Sequence, residues 1–165
     1  MGNNKIEKAP EKKYEAPEYY IKETAKKVAN ILQEHFPEYM SFGTGTFTIS
    51  KGSTQVMINV KHFLKDETVI VCFSNVVRGA KISTKLMHYL LRKNAELHFG
   101  AFALLFDGTI TFSHSITGSH LDANELITTV SSVAFIADYY DDIIVEMAGG
   151  RRAKDHFDTV KVFNY

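Results

Sequence analysis

The sequence predicts an α+β domain with three helices and five strands in the order α-β-β-β-α-β-β-α. Three observations carry that class. Around residues 17–36, 82–95 and 122–148 apolar side chains recur at steps of three or four, the helical period. Around residues 46–73 and 100–115 they alternate or run together over short stretches, as strands do. An Asp107-Gly108 pair then separates two β-rich runs and marks a hairpin. A chain of 165 residues with 45% hydrophobic content is long enough for one core, and at that size folding removes roughly 70% of the unfolded chain's accessible surface.

Residues 1–16 alternate Lys and Glu around Pro10 and read as a disordered N-terminal tail, because they bury too little apolar surface to offset the entropy of ordering. They also lack the apolar core of a signal peptide. The domain is read as residues 17–150. Its first helix runs from Pro17 to Phe36, with Pro17 suited to the first turn and Pro37 acting as a stop. Ile21, Ala25, Val28, Leu32 and Phe36 form its apolar stripe.

Three strands follow, in TFTIS, QVMINVKHF and TVIVCF. Val56, Ile58 and Val60 share one face of the second, while TVIVCF is apolar on both faces and predicts a strand covered on both sides. The turns at Lys51-Gly52-Ser53 and Lys65-Asp66-Glu67 are short, so an antiparallel meander is the simplest arrangement. A second helix covers Ile82 to Ala95. Its apolar girdle, with Leu86 and Leu90 on one line and Met87 and Leu91 beside it, is wider than a helix lying on one sheet requires. Either that helix is deeply buried or one side of it meets another subunit.

The Asp-Gly pair, taken as a two-residue type I′ loop, sets Phe106 opposite Thr109 and Phe102 opposite Ser113. Leu105, Ala103, Ile110, Phe112 and His114 then form the core face. Phe102, Leu104 and Phe106 fall with threonines on a second face, partly covered or free to bind a partner. In the last helix Asp122 followed by Glu125 reads as a capping box, flanked by a Leu121–Leu126 staple. Leu126, Val130, Val133, Ala137, Tyr140, Ile144 and Met147 form its stripe up to Gly149-Gly150. Residues 151–165 are a C-terminal tail that either adds an edge strand through Val160 and Val162 or stays mobile.

Little here speaks for catalysis. FSHSITGSHLDANEL, residues 112–126, gathers histidines, serines and carboxylates, yet adjacent strand residues such as Ser113 and His114 point to opposite faces. Asp122 is used as a cap, and no G-x-S-x-G elbow occurs. His98, His114 and His120 lack the paired spacings of a zinc site, so no metal and no cofactor are expected. Asp138, Asp141 and Asp142 read as a solvated helix face. GTGT at residues 43–46 lacks the spacing of a phosphate loop. Nineteen basic residues balance nineteen acidic ones, which argues against nucleic-acid and membrane partners. The single cysteine, Cys72, fits a cytoplasmic protein.

The runs LLRKNAELHFGAFALLFDGTITFSHSITG and LDANELITTVSSVAFIADYYDD, in that element order, resemble the YbjN and type III secretion chaperone-like (CesT-like) superfamily. The resemblance in element order covers residues 17–150, and the likeness in sequence lies mainly in the second half. It implies one antiparallel five-stranded sheet with helices packed against it, no enzymatic activity, and a homodimer. Leu86, Met87, Leu90 and Leu91 become the dimer-interface residues. Phe102, Leu104 and Phe106 become residues that bind an extended segment of an unidentified protein or peptide client, by strand addition or in apolar pockets. One departure is plain: secretion chaperones tend to be acidic, and this chain is neutral. A different class, a small-ligand- or metal-responsive regulatory domain around His98, His114 and His120, is the alternative.

Overall fold

Pro17 opens helix α1 (Pro17–His35), where its missing N–H leaves no hydrogen bond unmade. The computed structural model describes residues 16–52 and 54–155, so the readings of residues 1–15 and of a strand through Val160 and Val162 lie outside the described residues. Ala25, Val28 and Leu32 of α1 are buried, with Ile21 and Phe36 packed against the same core. The stripe read from spacing is therefore the face laid on the sheet.

The strands are β1 (Met40–Ser41), β2 (Thr46–Lys51), β3 (Thr54–His62), β4 (Thr68–Arg78), β5 (Ala101–Leu104), β6 (Ile110–Thr117) and β7 (Arg151–Arg152). All pairs are antiparallel, in the order β1-β2-β3-β4-β6-β5, with β7 beside the end of β4. The sheet thus has seven strands, not the five expected. The two additions are each two residues long, too short for side-chain alternation to reveal them.

A second correction concerns β4. It was expected to be covered on both sides, yet Thr68, Ile70, Cys72 and Ser74 are buried while Val69, Val71 and Phe73 between them are only half-buried. The fully buried face continues through Ile58 and Val60 of β3 and through Phe112 and Ile116 of β6, and α1 and α3 pack on it. Cys72 sits in the middle of that core, where burial pushes its thiol up to about 12, so it stays protonated and inert.

Helix α3 (Ala123–Ala148) starts as its sequence indicates, with the Asp122 carboxylate accepting from Asn124 N at 2.8 Å and Glu125 N at 3.2 Å. Gly149, at φ 68°, ends it. The loop before α3 is tied to the β3–β4 turn. Burial works against the Glu67 carboxylate, but Ser119 Oγ, Thr68 N and Ser119 N all donate to it and hold its carboxyl below the ordinary value. A Cβ at Gly118 would stand 2.1 Å from Thr68 Oγ1, which explains the glycine in this loop. The serines and acids of FSHSITGSHLDANEL are thereby absorbed into a strand end, a latch and a helix cap.

Candidate functional site

Helix α2 (Thr84–Glu96) is started by Ser83, whose hydroxyl accepts from Leu86 N at 3.2 Å. It lies beside β5, the last strand of the sheet, and Asn94 makes the hydrogen bonds between them. Asn94 Oδ1 accepts from Phe102 N at 2.7 Å, and Asn94 Nδ2 donates to Phe102 O at 3.2 Å. The carboxamide thus occupies both outward main-chain groups of Phe102 as a neighbouring strand would. Gly100 lets β5 approach: at φ 74°, its Cβ would meet Ser113 O at 2.5 Å and the Phe112 ring at 2.8 Å.

The hairpin register differs from the one read in the sequence. The observed pairs are Leu104–Ile110, Ala103–Thr111, Phe102–Phe112 and Ala101–Ser113, one residue away from expectation. The cause is the turn. Gly108 N donates to Leu105 O at 3.0 Å and Leu105 N to Thr109 O at 2.9 Å, so the loop is Phe106-Asp107-Gly108. Only Gly108 of those three has positive φ, which is a type I turn closed by a left-handed glycine. Asp107 Oδ1 accepts from Thr109 N at 2.9 Å, an Asx contact that favours this loop. That donor holds the Asp107 carboxyl below its ordinary value.

A slip of one residue exchanges the faces of a strand. Phe102 therefore turns inward and is 7% exposed, with its ring edge-on to Phe112 at 5.0 Å and to Tyr140 at 5.2 Å. Phe102, expected on a free face, is thus largely buried and lines the α2–β5 cavity from the core side. Leu104 shares the side of Phe102 but is 51% exposed, while Phe106 projects fully from the hairpin tip.

The residues read as two surfaces line one groove. Leu86, Met87, Leu90 and Leu91 of α2 face Phe102 and Leu104 across a cavity of about 190 Å³ that Ile82 and Ile110 also line. Leu86 and Ile110 form a buried floor; Met87 at 44% and Leu91 at 65% exposure form the outer wall. Apart from Asn94 its lining is apolar. Such a groove can take hydrophobic side chains and offers no group for acid–base chemistry.

Of the three histidines singled out in the sequence, His98 is exposed just before β5. His114 stands half-buried on β6 with its ring edge-on to Phe99 at 5.7 Å, and His120 is exposed in the loop before α3. Among the described residues no three His, Cys, Asp or Glu side chains group as a metal ion requires. The aspartates of α3 diverge from the expected solvated face: Asp138 and Asp142 are exposed, but Asp141 is buried. Sequence periodicity misses this because Asp141 lies three residues from Ile144 and Asp138, on the border of the apolar stripe. Ser83 and Asn94 were also missed. A serine before a helical run is a readable cap signal, whereas the Asn94 contact depends on tertiary geometry.

A family model described as "T3SS (YopN, CesT) and YbjN peptide-binding chaperone 1" matches residues 22–156. No curated protein matches. Among solved structures, a chain in the crystal structure of the ExsC–ExsE complex is 14% identical with a TM-score of 0.55, over 73% of this chain and 95% of that one. A chain in the structure of the Yersinia pestis type III secretion chaperone SycH, in complex with a stable fragment of YscM2, is 14% identical with a TM-score of 0.47, over 75% and 98%. The ExsC–ExsE chain shares this fold. Among the described residues no helix is long and apolar enough to cross a membrane.

Proposed function

The chain belongs to the T3SS (YopN, CesT) and YbjN peptide-binding chaperone family, and from that premise we propose that its α2–β5 groove holds apolar side chains of an extended client peptide. The observation that carries this is the groove itself, a concave apolar surface of about 190 Å³ whose outer wall, Met87 and Leu91, is exposed. Side-chain capture is favoured over strand addition at β5, because Asn94 already occupies the Phe102 N–H and C=O, two of the main-chain groups an added strand would use. Leu104 and Phe106 extend the surface along the hairpin, and Phe102 supports it from below. The role is non-enzymatic binding, and the single buried cysteine suits a cytoplasmic setting.

The test is fluorescence anisotropy with fluorescein-labelled unstructured peptides bearing Leu, Ile or Phe at every second or third position. Tight binders of the native chain should lose about tenfold or more in affinity on Leu91→Asp or Leu104→Asp, because a charge then enters an apolar pocket. Both residues are exposed, so the melting temperatures should stay within a few degrees. Equal affinity in all three proteins would refute the groove assignment.

Homodimerisation is the second reading, favoured by the exposure of Met87 and Leu91 on one side of α2. A second copy seated there would compete with peptide. Sedimentation velocity with increasing peptide should then convert dimer to monomer. A dimer that persists at saturating peptide places the interface elsewhere.

A further inference from the structure

Pairing of β3 with β4 ends at Met57 and Phe73, and β7 takes the place beside β4 from Val77 onward. Between the departing and the arriving strand lies a cavity of about 230 Å³ that shares no lining residue with the α2–β5 groove. Two oxygens of its lining side chains, Asn75 Oδ1 and Asp141 Oδ1, are buried with no hydrogen-bond partner, and among the described residues these are the buried side-chain atoms in that condition. Asp141 is 3% exposed. Its other oxygen, Oδ2, meets Lys154 Nζ at 2.9 Å, and the same ammonium meets Asp138 Oδ1 at 3.0 Å. Lys154 is thus divided between two carboxylates. Burial pushes the Asp141 carboxyl up from its ordinary value, against the pull of Lys154.

With Asp141 ionised, as its contact with Lys154 favours, both orphaned atoms are acceptors, and a group that completes both must donate. The cavity is smaller than the roughly 300–1,000 Å³ typical of drug-sized ligands, which fits one side chain rather than a larger molecule. Of the two lining cations, Lys154 is met by Asp141 and by Asp138 outside the lining, so an incoming group is selected by its donor geometry together with its attraction to the Asp141 carboxylate. We propose that this cavity binds a guanidinium group, with N–H groups directed at Asp141 Oδ1 and Asn75 Oδ1. A guanidinium carries five donors in one rigid plane and can reach two separate acceptors at once; an ammonium is a single point on a flexible stem. An arginine of a bound peptide and a free guanidinium compound share this chemistry. The inference does not depend on what fills the α2–β5 groove.

The test is a nuclear magnetic resonance titration of the full chain with N-acetyl-argininamide, methylguanidinium and N-acetyl-citrullinamide, following the Asn75 side-chain NH₂ and the Asp141 amide. Saturable shifts at both positions are expected with the two guanidinium probes, and weaker binding with the uncharged citrulline analogue. Tighter binding of N-acetyl-argininamide than of methylguanidinium assigns the site to a peptide side chain; equal binding assigns it to a free guanidinium compound. Asp141→Asn should weaken N-acetyl-argininamide about tenfold, and Asn75→Asp, which keeps the acceptor and adds charge, should tighten it by a similar factor. Absence of shifts at both positions in the native chain would mean that water serves the two oxygens and would overturn the proposal. So would Asn75→Asp binding no tighter than the native chain. An Asp141→Asn protein that is more stable than a native chain unresponsive to all probes would also overturn it, by making the pair an internal proton-sharing contact.

Discussion

Replacing Asn94 by alanine isolates the contact that closes the outer edge of the sheet. The substitution removes two hydrogen bonds to the Phe102 main chain, at 2.7 and 3.2 Å. Each such bond contributes about 0.5–1.5 kcal/mol net, so the loss should total roughly 1–3 kcal/mol. The figure stays in that range because Phe102 lies on the last strand, where water can reach the freed groups once the carboxamide is gone. For a domain of this size about 2–4 °C is lost per kcal/mol, giving a drop of about 2–12 °C in melting temperature. Urea unfolding should show a lower midpoint with an unchanged slope. Hydrogen exchange at the Phe102 amide should accelerate while that of Thr111 on β6 holds. Asn94→Asp keeps an acceptor for Phe102 N–H but sets a carboxylate against Phe102 O, and should be no more stable than the alanine variant. A stability change below about 0.5 kcal/mol, or an unaltered Phe102 amide, would refute the reasoning. Under side-chain capture, freeing this edge should leave peptide affinity unchanged; a gain in affinity would favour strand addition.

Phe102→Ala should cost about 3–5 kcal/mol because it opens a void between Phe112 and Tyr140, whereas Leu104→Ala, half-exposed, should fall well below that by the same denaturation assay. Glu67 has a folded pKa depressed below its unfolded value, so its contribution is present above about pH 4.3 and fades as pH falls through the folded value. Accordingly the difference in urea midpoint between the native chain and Glu67→Gln should be largest near neutrality and shrink in acid. Asp122→Ala should cost about 1 kcal/mol through loss of the α3 cap, measured by the same unfolding curves.

Much of this architecture was legible in the sequence, for physical reasons that also mark where legibility ends. Helices α1 and α3 carry long apolar stripes bounded by Pro17 and by Asp122 and Gly149, and periodicity with caps locates both. The β2–β4 meander follows from short turns. The hairpin was found, but its register was not: Asp-Gly serves both a two-residue and a three-residue loop, and the choice rests on whether Asp107 adopts positive φ. That single torsion moved Phe102 from the surface to the core. The groove-forming leucines of α2 stood out as a girdle too wide for one sheet. That they and Leu104 share a single cavity could not be read, because β5 reaches α2 only through the fold. Asp141 was placed in solvent since charge is ordinarily solvated, and its pairing with Lys154, beyond the end of the helix, leaves no pattern in the sequence.

Strand β4 pairs with β3, with β6 and, at its end, with β7. On the ribosome these neighbours do not arrive together. Thr117, the last residue of β6, follows Arg78, the last of β4, by 39 residues, so about 2–8 s pass at synthesis rates of roughly 5–20 residues per second. In that interval an eleven-residue strand containing Val69, Ile70, Val71 and Phe73 has β3 on one side and an open hydrogen-bonding edge on the other. The nascent chain is consequently most prone to associate with other chains during that interval, and translation speed across residues 79–117 controls how long it lasts.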